Sequence, residues 1–384
     1  VHMAEPEDAA PNAKNIVVTG GSGFVGQRLV EMLVERGAER VVSLDIAPKP
    51  PFASQDPKIE YSQCDITKLD DLLAVFQGAD CVFHTAALVG PFHAKEMYEK
   101  INYRGTLNVI EACRKLGIKK IVCAGTPSTR MNGKSIKNKR EIDLPIPQKG
   151  QFTALYAETK WMAEVATAEA TDLLTITIAP HQVYGPRDAL LLPNALTAAR
   201  SGKLRIFGSG ENRISVCHVD NYCHGLILGE RKLYPDSPCL GKFFLVTDDE
   251  APRMWDFMDA AVVAMGYDSL WGKFKLPYPL MISVGLIVNS VAKLLAGLGL
   301  AREHTVLNAL KVNWFTVTML TIDRWFDISE AKAKLGYRPI RTYKDAYGEV
   351  AAIPCLCLAC RCMHGLDEWR PKAPTSHPCI PKLQ

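Results

Sequence analysis

The sequence predicts an α/β fold: a doubly wound parallel sheet with a smaller C-terminal lobe interleaved with it in sequence. Three observations predict it. A β-branched run, Ile16 to Thr19, feeds straight into a glycine-rich turn and then an amphipathic helix. Three further β-α alternations follow. Beyond residue 187 the alternation weakens, yet Phe243 to Thr247 reads as a late strand returning to the sheet. With 384 residues and 48% hydrophobic content, the chain is long enough for two lobes. The boundaries read as 12–186 for the first, 187–350 for most of the second, and 351–384 for a cysteine-rich tail.

The first element ends in N-I-V-V-T-G-G-S-G-F-V-G, Asn15 to Gly26, with Leu29, Val30, Leu33 and Val34 at helical spacing behind it. Gly20, Gly21, Gly23 and Gly26 suit a tight turn at a helix N-terminus, where a phosphate can approach backbone N–H groups. Arg40 to Leu44 is the second strand, ending in Asp45, 19 residues after Gly26. An acid there accepts ribose hydroxyls and repels a 2′-phosphate, so the spacing favours NAD over NADP. Ile59 to Gln63 is the third strand, with Cys64-Asp65-Ile66 and a helix from Leu69 to Phe76 after it. Cys81 to Thr85 is the fourth, followed by Ala86-Ala87 and a helix from Met97 to Lys115. Lys119 to Ala124 is the fifth, with Gly125-Thr126-Pro127-Ser128-Thr129 and a long polar, irregular loop up to Phe152 behind it. A helix over Ala154 to Ala170 then carries Tyr156 and Lys160, and a strand over Leu174 to Ala179 ends at Pro180-His181-Gln182-Val183-Tyr184-Gly185-Pro186-Arg187. There is no internal repeat.

Charge and composition exclude several classes. A net charge of +4, from 45 basic and 41 acidic residues, argues against a nucleic-acid surface. The opening residues lack the basic and apolar regions of a signal peptide. Cys64, Cys81, Cys113 and Cys123 lie in or beside apolar runs, which suits buried thiols in a reducing, intracellular setting. The tail Cys355-x-Cys357-x-x-Cys360-x-Cys362-x-His364 lacks the paired knuckles of a zinc site, so no metal is expected. Leu276 to Ala301 is the most apolar segment, but Asn289, Ser290 and Lys293 break its apolar run short of a membrane span. An interfacial helix, the lining of an apolar pocket and a buried core helix all remain open for it.

Tyr156 and Lys160, four residues apart on one helix, project from the same face. An ammonium beside a phenol stabilises the phenolate and lowers its pKa, so the pair can move a proton near neutral pH. A hydroxyl from Thr126 or Ser128, at the end of the preceding strand, could hold a substrate oxygen beside them. His218 reads as a core histidine, and His181 as a strand-end residue contacting the nicotinamide side through its backbone.

Thr19 to Gly26, Asp45, Asp65, Asn102-Tyr103-Arg104-Gly105-Thr106, Tyr156-x-x-x-Lys160 and Val183 to Arg187 together resemble the extended short-chain dehydrogenase/reductases, with a Rossmann cofactor domain. The resemblance runs from about Asn15 to Pro339. Asn132 to Asn138, Leu144-Pro145 and the closing Phe326-Asp327-Ile328-Ser329-x-Ala331 and Leu335-Gly336-Tyr337-x-Pro339 are similar to the 3β-hydroxysteroid dehydrogenase branch, especially the sterol-4α-carboxylate 3-dehydrogenases. That resemblance implies NAD-dependent oxidation of a 3β-hydroxyl on a sterol or steroid. The implied catalytic residues are Tyr156, Lys160 and Thr126, with Ser128 second. The implied cofactor residues are Gly20, Gly23, Phe24, Val25, Gly26, Asp45, Asp65, Ile66, Thr85, Ala86, Ala87, Asn102, Lys160, Pro180 and Val183. It also implies peripheral membrane contact through 276–301, in the cytoplasm or at the endoplasmic reticulum, and is compatible with a homodimer. The chain departs from the family in having Gly125-Thr126 where members carry Ser-Ser or Thr-Ser, and in its tail. Two alternatives share these residues: a nucleotide-sugar epimerase or dehydratase, with Arg187 and Arg213 as diphosphate clamps, and a cofactor-binding regulatory protein without turnover.

Overall fold

The β-branched runs become strands, and the amphipathic stretches become the helices that cover them, in a computed structural model describing residues 8–346 except 91 and 189. The elements begin with β1 (Asn15–Thr19), α1 (Phe24–Glu35), β2 (Arg40–Asp45), β3 (Ile59–Gln63), α2 (Leu69–Val75), β4 (Cys81–His84) and α3 (Lys95–Tyr98). A π-helical turn, Glu99–Arg104, joins α3 to α4 (Gly105–Leu116). Next come β5 (Lys120–Ala124), β6 (Ile136–Lys139), α5 (Leu155–Glu169), β7 (Leu174–Pro180), β8 (Val183–Tyr184), α6 (Leu191–Arg200), β9 (Cys217–His218) and α7 (Val219–Arg231). The rest are β10 (Phe243–Val246), α8 (Met254–Ala264), α9 (Tyr278–Gly297), α10 (Glu303–Leu310), α11 (Trp314–Thr321), β11 (Arg324–Phe326) and α12 (Ser329–Leu335).

Seven parallel strands form the main sheet in the order β3-β2-β1-β4-β5-β7-β10. Side chains alternate between its faces. Ile16 and Val18 pack with Leu29, Leu33 and Leu226 on one side, while Val17 packs with Leu72, Val109 and Cys113 on the other. The late strand is present as β10 and takes the sheet's edge beside β7. Cys64, Cys81, Cys113 and Cys123 are buried free thiols, as their apolar neighbours predict. A third cluster, including Leu192, Phe207, Trp255, Phe257, Met281 and Val317, forms a core from α6, α8, α9 and α11.

Two expectations need correcting. The stretch from residue 130 to 152 is not wholly irregular: β6 pairs with the distant β11, and Glu141, just after it, is buried. The helix expected from Met97 starts at Lys95 and is interrupted by the π-helical turn. The apolar segment forms one helix with Asn289, Ser290 and Lys293 inside it. α9 runs 20 residues and is, by length and composition only, long and apolar enough to cross a membrane. It is no core helix. Met281, Gly285 and Ala292 are its buried residues, whereas Leu280, Ile287 and Leu294 are 56%, 63% and 62% exposed. A Cβ on Gly285 would lie 2.9 Å from the Asn313 and Trp314 backbone, so glycine allows α9 to dock closely on α11.

Glu141 gives the fold a pH dependence. Its Oε1 accepts the N–H of Leu245 on the edge strand (3.0 Å), and burial pushes its carboxyl from the ordinary 4.5 up to about 7. Between those values the native state holds a proton that the unfolded chain releases. Stability therefore falls as pH rises through the window, by about 3 kcal/mol in all. Glu141→Gln retains the acceptor and cannot ionise, so its melting temperature relative to wild type should rise from pH 4.5 to pH 7.5. A constant difference across thermal melts would contradict this.

Candidate active site

The strand order reverses between β1 and β4, which opens a crevice at their carboxyl ends. The glycine loop fills one lip. Gly20 sits at φ +75°, and a Cβ on it would meet the Ala86 backbone at 2.8 Å. Gly26 must lack a side chain because its Cβ would lie 2.0 Å from the Gly20 carbonyl oxygen. Gly23 precedes α1, whose N-terminus no side chain caps, and Phe24 and Val25 begin its first turn. Half-buried Asp45 closes β2: its Oδ2 accepts the Ser22 N–H (3.0 Å) and its Oδ1 the Ala47 N–H (2.9 Å). Asp65 accepts the Thr67 N–H (2.9 Å), and this bond together with Lys100 and Lys68 holds its carboxyl below the usual range against burial. The Ile66 side chain is buried under Gly105. A glycine-rich loop, an uncapped helix N-terminus and an acid at the next strand end fit a dinucleotide.

The opposite lip follows β4. The Thr85 hydroxyl donates to the Thr19 carbonyl (2.7 Å), and the Ala86 N–H to the Thr19 hydroxyl (3.3 Å). Buried His84 links Thr19 Oγ1 (2.8 Å) to Thr106 Oγ1 (3.0 Å), and burial lowers its pKa to about 3, so it stays neutral. Asn102 is buried, and its amide engages both the N–H and the carbonyl of Leu88 (2.7 and 3.1 Å). It therefore fixes the loop that begins at Ala86-Ala87.

Thr126 ends the β5 segment and caps a 3-10 turn, Pro127–Arg130, by accepting the Ser128 N–H; its hydroxyl donates to Ser128 Oγ (3.2 Å). Tyr156 and Lys160 lie on α5 across from this turn, with the Tyr98 ring 6.4 Å from that of Tyr156. Burial pushes the Tyr156 phenol up to about 12, with a Thr126 hydrogen bond opposing the rise. That direction is opposite to the one expected from Lys160. The reason is local: the Lys160 ammonium donates to the Ala124 carbonyl (2.7 Å), and burial pulls its own pKa down.

At the end of β7, Pro180 pairs in register with Val246, and Val183 starts β8 against Cys217. His181 is a buried side chain bonded to the Ser215 carbonyl (2.6 Å) and to Arg324 (3.3 Å). His218 is also a core histidine, capping α7 through Asp220 N–H. Arg187 pairs in bidentate fashion with Glu31 (3.0 and 2.7 Å), which removes it as a ready diphosphate clamp. A surface notch of about 290 Å³ is lined by Leu286, Asn289, Ser290, Lys293 and Trp314. Sequence reasoning missed the buried pair Arg130–Glu164. Glu164 repeats the four-residue spacing of Tyr156 and Lys160, and that was the available signal. Among the described residues no group of His, Cys, Asp and Glu could hold a metal; the tail lies outside them.

Residues 17–277 match the 3-beta hydroxysteroid dehydrogenase/isomerase family. The chain belongs to that family. Its curated relatives agree. A sterol-4-alpha-carboxylate 3-dehydrogenase, decarboxylating, of Mus musculus is 32% identical over 340 residues, 87% of this chain and 89% of the relative. A 3beta-hydroxysteroid-dehydrogenase/decarboxylase isoform 1 of Arabidopsis thaliana is 32% identical, covering 84% of this chain and 76% of the relative. Among solved structures, epimerase Mth375 from Methanothermobacter thermautotrophicus has a TM-score of 0.68 at 19% identity, covering 93% of this chain and 97% of its own. A UDP-galactose 4-epimerase has a TM-score of 0.64, also at 19% identity, covering 90% of this chain and 99% of its own. At such identity these two speak for the fold alone. This member of the dehydrogenase family is an oxidoreductase, and its chemistry uses a nicotinamide cofactor.

Proposed function

We propose that the protein oxidises the 3β-hydroxyl of a sterol bearing a 4α-carboxylate to the 3-ketone, with NAD. The observation that carries the reading is that the Thr126 turn is tied by the Arg130–Glu164 pair to the helix bearing Tyr156 and Lys160, one strand away from the β1–β4 crevice and its glycine loop. The relatives' names supply the substrate class. Gly20 to Gly26, with Asp45 on the ribose and Asp65, Ile66, Thr85, Ala86, Ala87, Pro180 and Val183 around it, would hold the cofactor. Bound nicotinamide supplies the hydride acceptor. Tyr156 Oη takes the substrate hydroxyl proton, Thr126 Oγ1 orients the substrate oxygen with Ser128 behind it, and Lys160, held by the Ala124 carbonyl, meets the nicotinamide ribose one helical turn beyond the phenol. Oxidation beside a carboxylate leaves a β-keto acid. Its C4–carboxylate bond breaks with release of CO₂ as the electron pair moves toward the new ketone, giving an enolate that takes up a proton at C4. In the same proposal residues 12–186, with β10, serve the cofactor, and 187–350 mostly serve the substrate. The test is NADH formation from 3β-hydroxysterols with and without the 4α-carboxylate, with CO₂ measured alongside. Faster turnover of the uncarboxylated sterol would exclude the decarboxylating role.

Asp45 makes NAD the preferred cofactor in this reading. Asp45→Ala should weaken NAD about tenfold to a hundredfold, the loss of charge-assisted ribose hydrogen bonds, while NADP binding improves. Equal affinities for NAD and NADP in the wild type, measured by titration, would contradict the role.

The exposed apolar face of α9 is read as a contact with an intracellular membrane such as the endoplasmic reticulum, where sterols partition. Flotation with phosphatidylcholine vesicles should carry the wild-type chain and lose a variant with Ile287→Glu and Leu294→Glu. Equal flotation of both would overturn that contact.

A further inference from the structure

Arg130 closes the 3-10 turn that Thr126 caps, and its side chain is only 7% exposed. One guanidinium nitrogen donates to Glu164 Oε2 (3.0 Å) and to the Thr129 hydroxyl (2.7 Å), the other to Glu164 Oε1 (2.5 Å). The Thr129 hydroxyl in turn donates to the Thr126 carbonyl (2.9 Å), with Glu164 Oε2 also in reach at 3.2 Å. The opposite face of the guanidinium lies 4.2 Å over the Phe243 ring on β10. Glu164 follows Lys160 by one helical turn, as Lys160 follows Tyr156. We propose that Arg130 and Glu164 are positioning residues, a buried fork that clamps the Thr126 turn onto the helix carrying Tyr156 and Lys160.

Two consequences follow from the geometry. The fork holds the Thr126 hydroxyl at the phenol, and misplacement by an ångström can cost about a hundredfold in rate. The pair also cancels its own charge beside Lys160. The other titratable groups facing Tyr156 and Lys160 are Tyr98 from α3, His84 from β4, Cys123 from β5 and Tyr222 from α7, and burial keeps each of them neutral. Removing one partner therefore leaves a single uncompensated charge near the proton-transfer pair, of opposite sign in the two variants.

The test rests on the catalytic roles proposed for Tyr156 and Thr126. It compares Arg130→Met, Glu164→Gln and the double variant by steady-state kinetics against pH, with thermal melts and NAD affinity measured on the same samples. Each variant should lose about tenfold to a hundredfold in kcat with KM and NAD affinity nearly unchanged. The rate-against-pH limb should move to higher pH in Arg130→Met, where a lone carboxylate disfavours the phenolate, and to lower pH in Glu164→Gln. In the double variant the limb should return while kcat stays low. Arg130→Lys should restore the limb and only part of kcat, because an ammonium lacks the fork. Thr129→Val keeps the ion pair and should lower kcat with the limb unmoved, so the idea stays testable if a charge variant folds poorly. Wild-type kcat in both single variants, or limbs that move in the same direction, would overturn the clamp. Undiminished turnover in Tyr156→Phe would overturn the proposed function instead.

Discussion

Tyr156→Phe is expected to lower kcat by about 10² to 10⁴, the usual contribution of a positioned acid–base group, with little change in NAD affinity or melting temperature. Phenylalanine fills the same volume in the same packed setting and loses only the hydroxyl with its Thr126 hydrogen bond. The cofactor cradle proposed above draws chiefly on other elements, β1, α1, β2 and the β4 loop, so binding and chemistry should separate in this variant. The pH dependence sharpens the expectation. With burial holding the phenol near 12, only a small fraction is phenolate at neutral pH, and that fraction grows about tenfold per pH unit. Oxidation by the wild-type enzyme should therefore accelerate from pH 7 to pH 10, whereas the residual rate of the phenylalanine variant should not follow that limb. Stopped-flow or steady-state NADH formation across this range decides it. A variant with wild-type turnover and a wild-type limb would mean that another group takes the proton.

The same residue shows how far the sequence reaches. Periodicity and glycine spacing located the strands of the main sheet and the glycine loop after β1, because parallel strands buried on both faces read as short apolar runs ending in small or acidic residues, whereas the reversal between β1 and β4 shows only in the strand order. That Tyr156 and Lys160 share one helix was legible from their spacing. The direction of the phenol's shift was not, since it depends on the burial of Tyr156 and on the Ala124 carbonyl that takes up the Lys160 ammonium. Pairing of β6 with β11 escaped for a related reason: it joins segments nearly 190 residues apart through four- and three-residue strands, too short to carry a period. In α9 the polar residues read only as breaks in an apolar run. Asn289 instead accepts the Trp314 N–H (2.9 Å) and helps fasten the helix to α11, a partner that only the tertiary fold reveals.

Gly26→Ala is expected to be the most damaging single change in the cofactor cradle, weakening NAD about a hundredfold and lowering the melting temperature. The added Cβ would stand 2.0 Å from the Gly20 carbonyl oxygen and 2.7 Å from its carbon, and neither is a side-chain end that can swing away. Gly20 cannot retreat, because its own Cα position already lies so close to Ala86 that a Cβ there would come within 2.8 Å of that backbone. The strain must then be taken by α1 moving off the sheet or by the loop losing its φ +75° turn, and both change the N–H groups that a pyrophosphate needs. Overpacking of this kind costs about 1–3 kcal/mol or more, and the upper figure corresponds to roughly a hundredfold in affinity. Gly23→Ala provides the contrast. Gly23 has φ −73°, which any residue adopts, and its Cβ would meet only the Gly20 oxygen, at 3.2 Å. That variant should melt close to wild type, so calorimetry on the two alanine variants, with NAD titrations beside it, separates a glycine required by packing from one the backbone could spare. Equal melting temperatures for both would show that α1 yields to the Gly26 side chain and that helix-to-strand packing is not what demands glycine there.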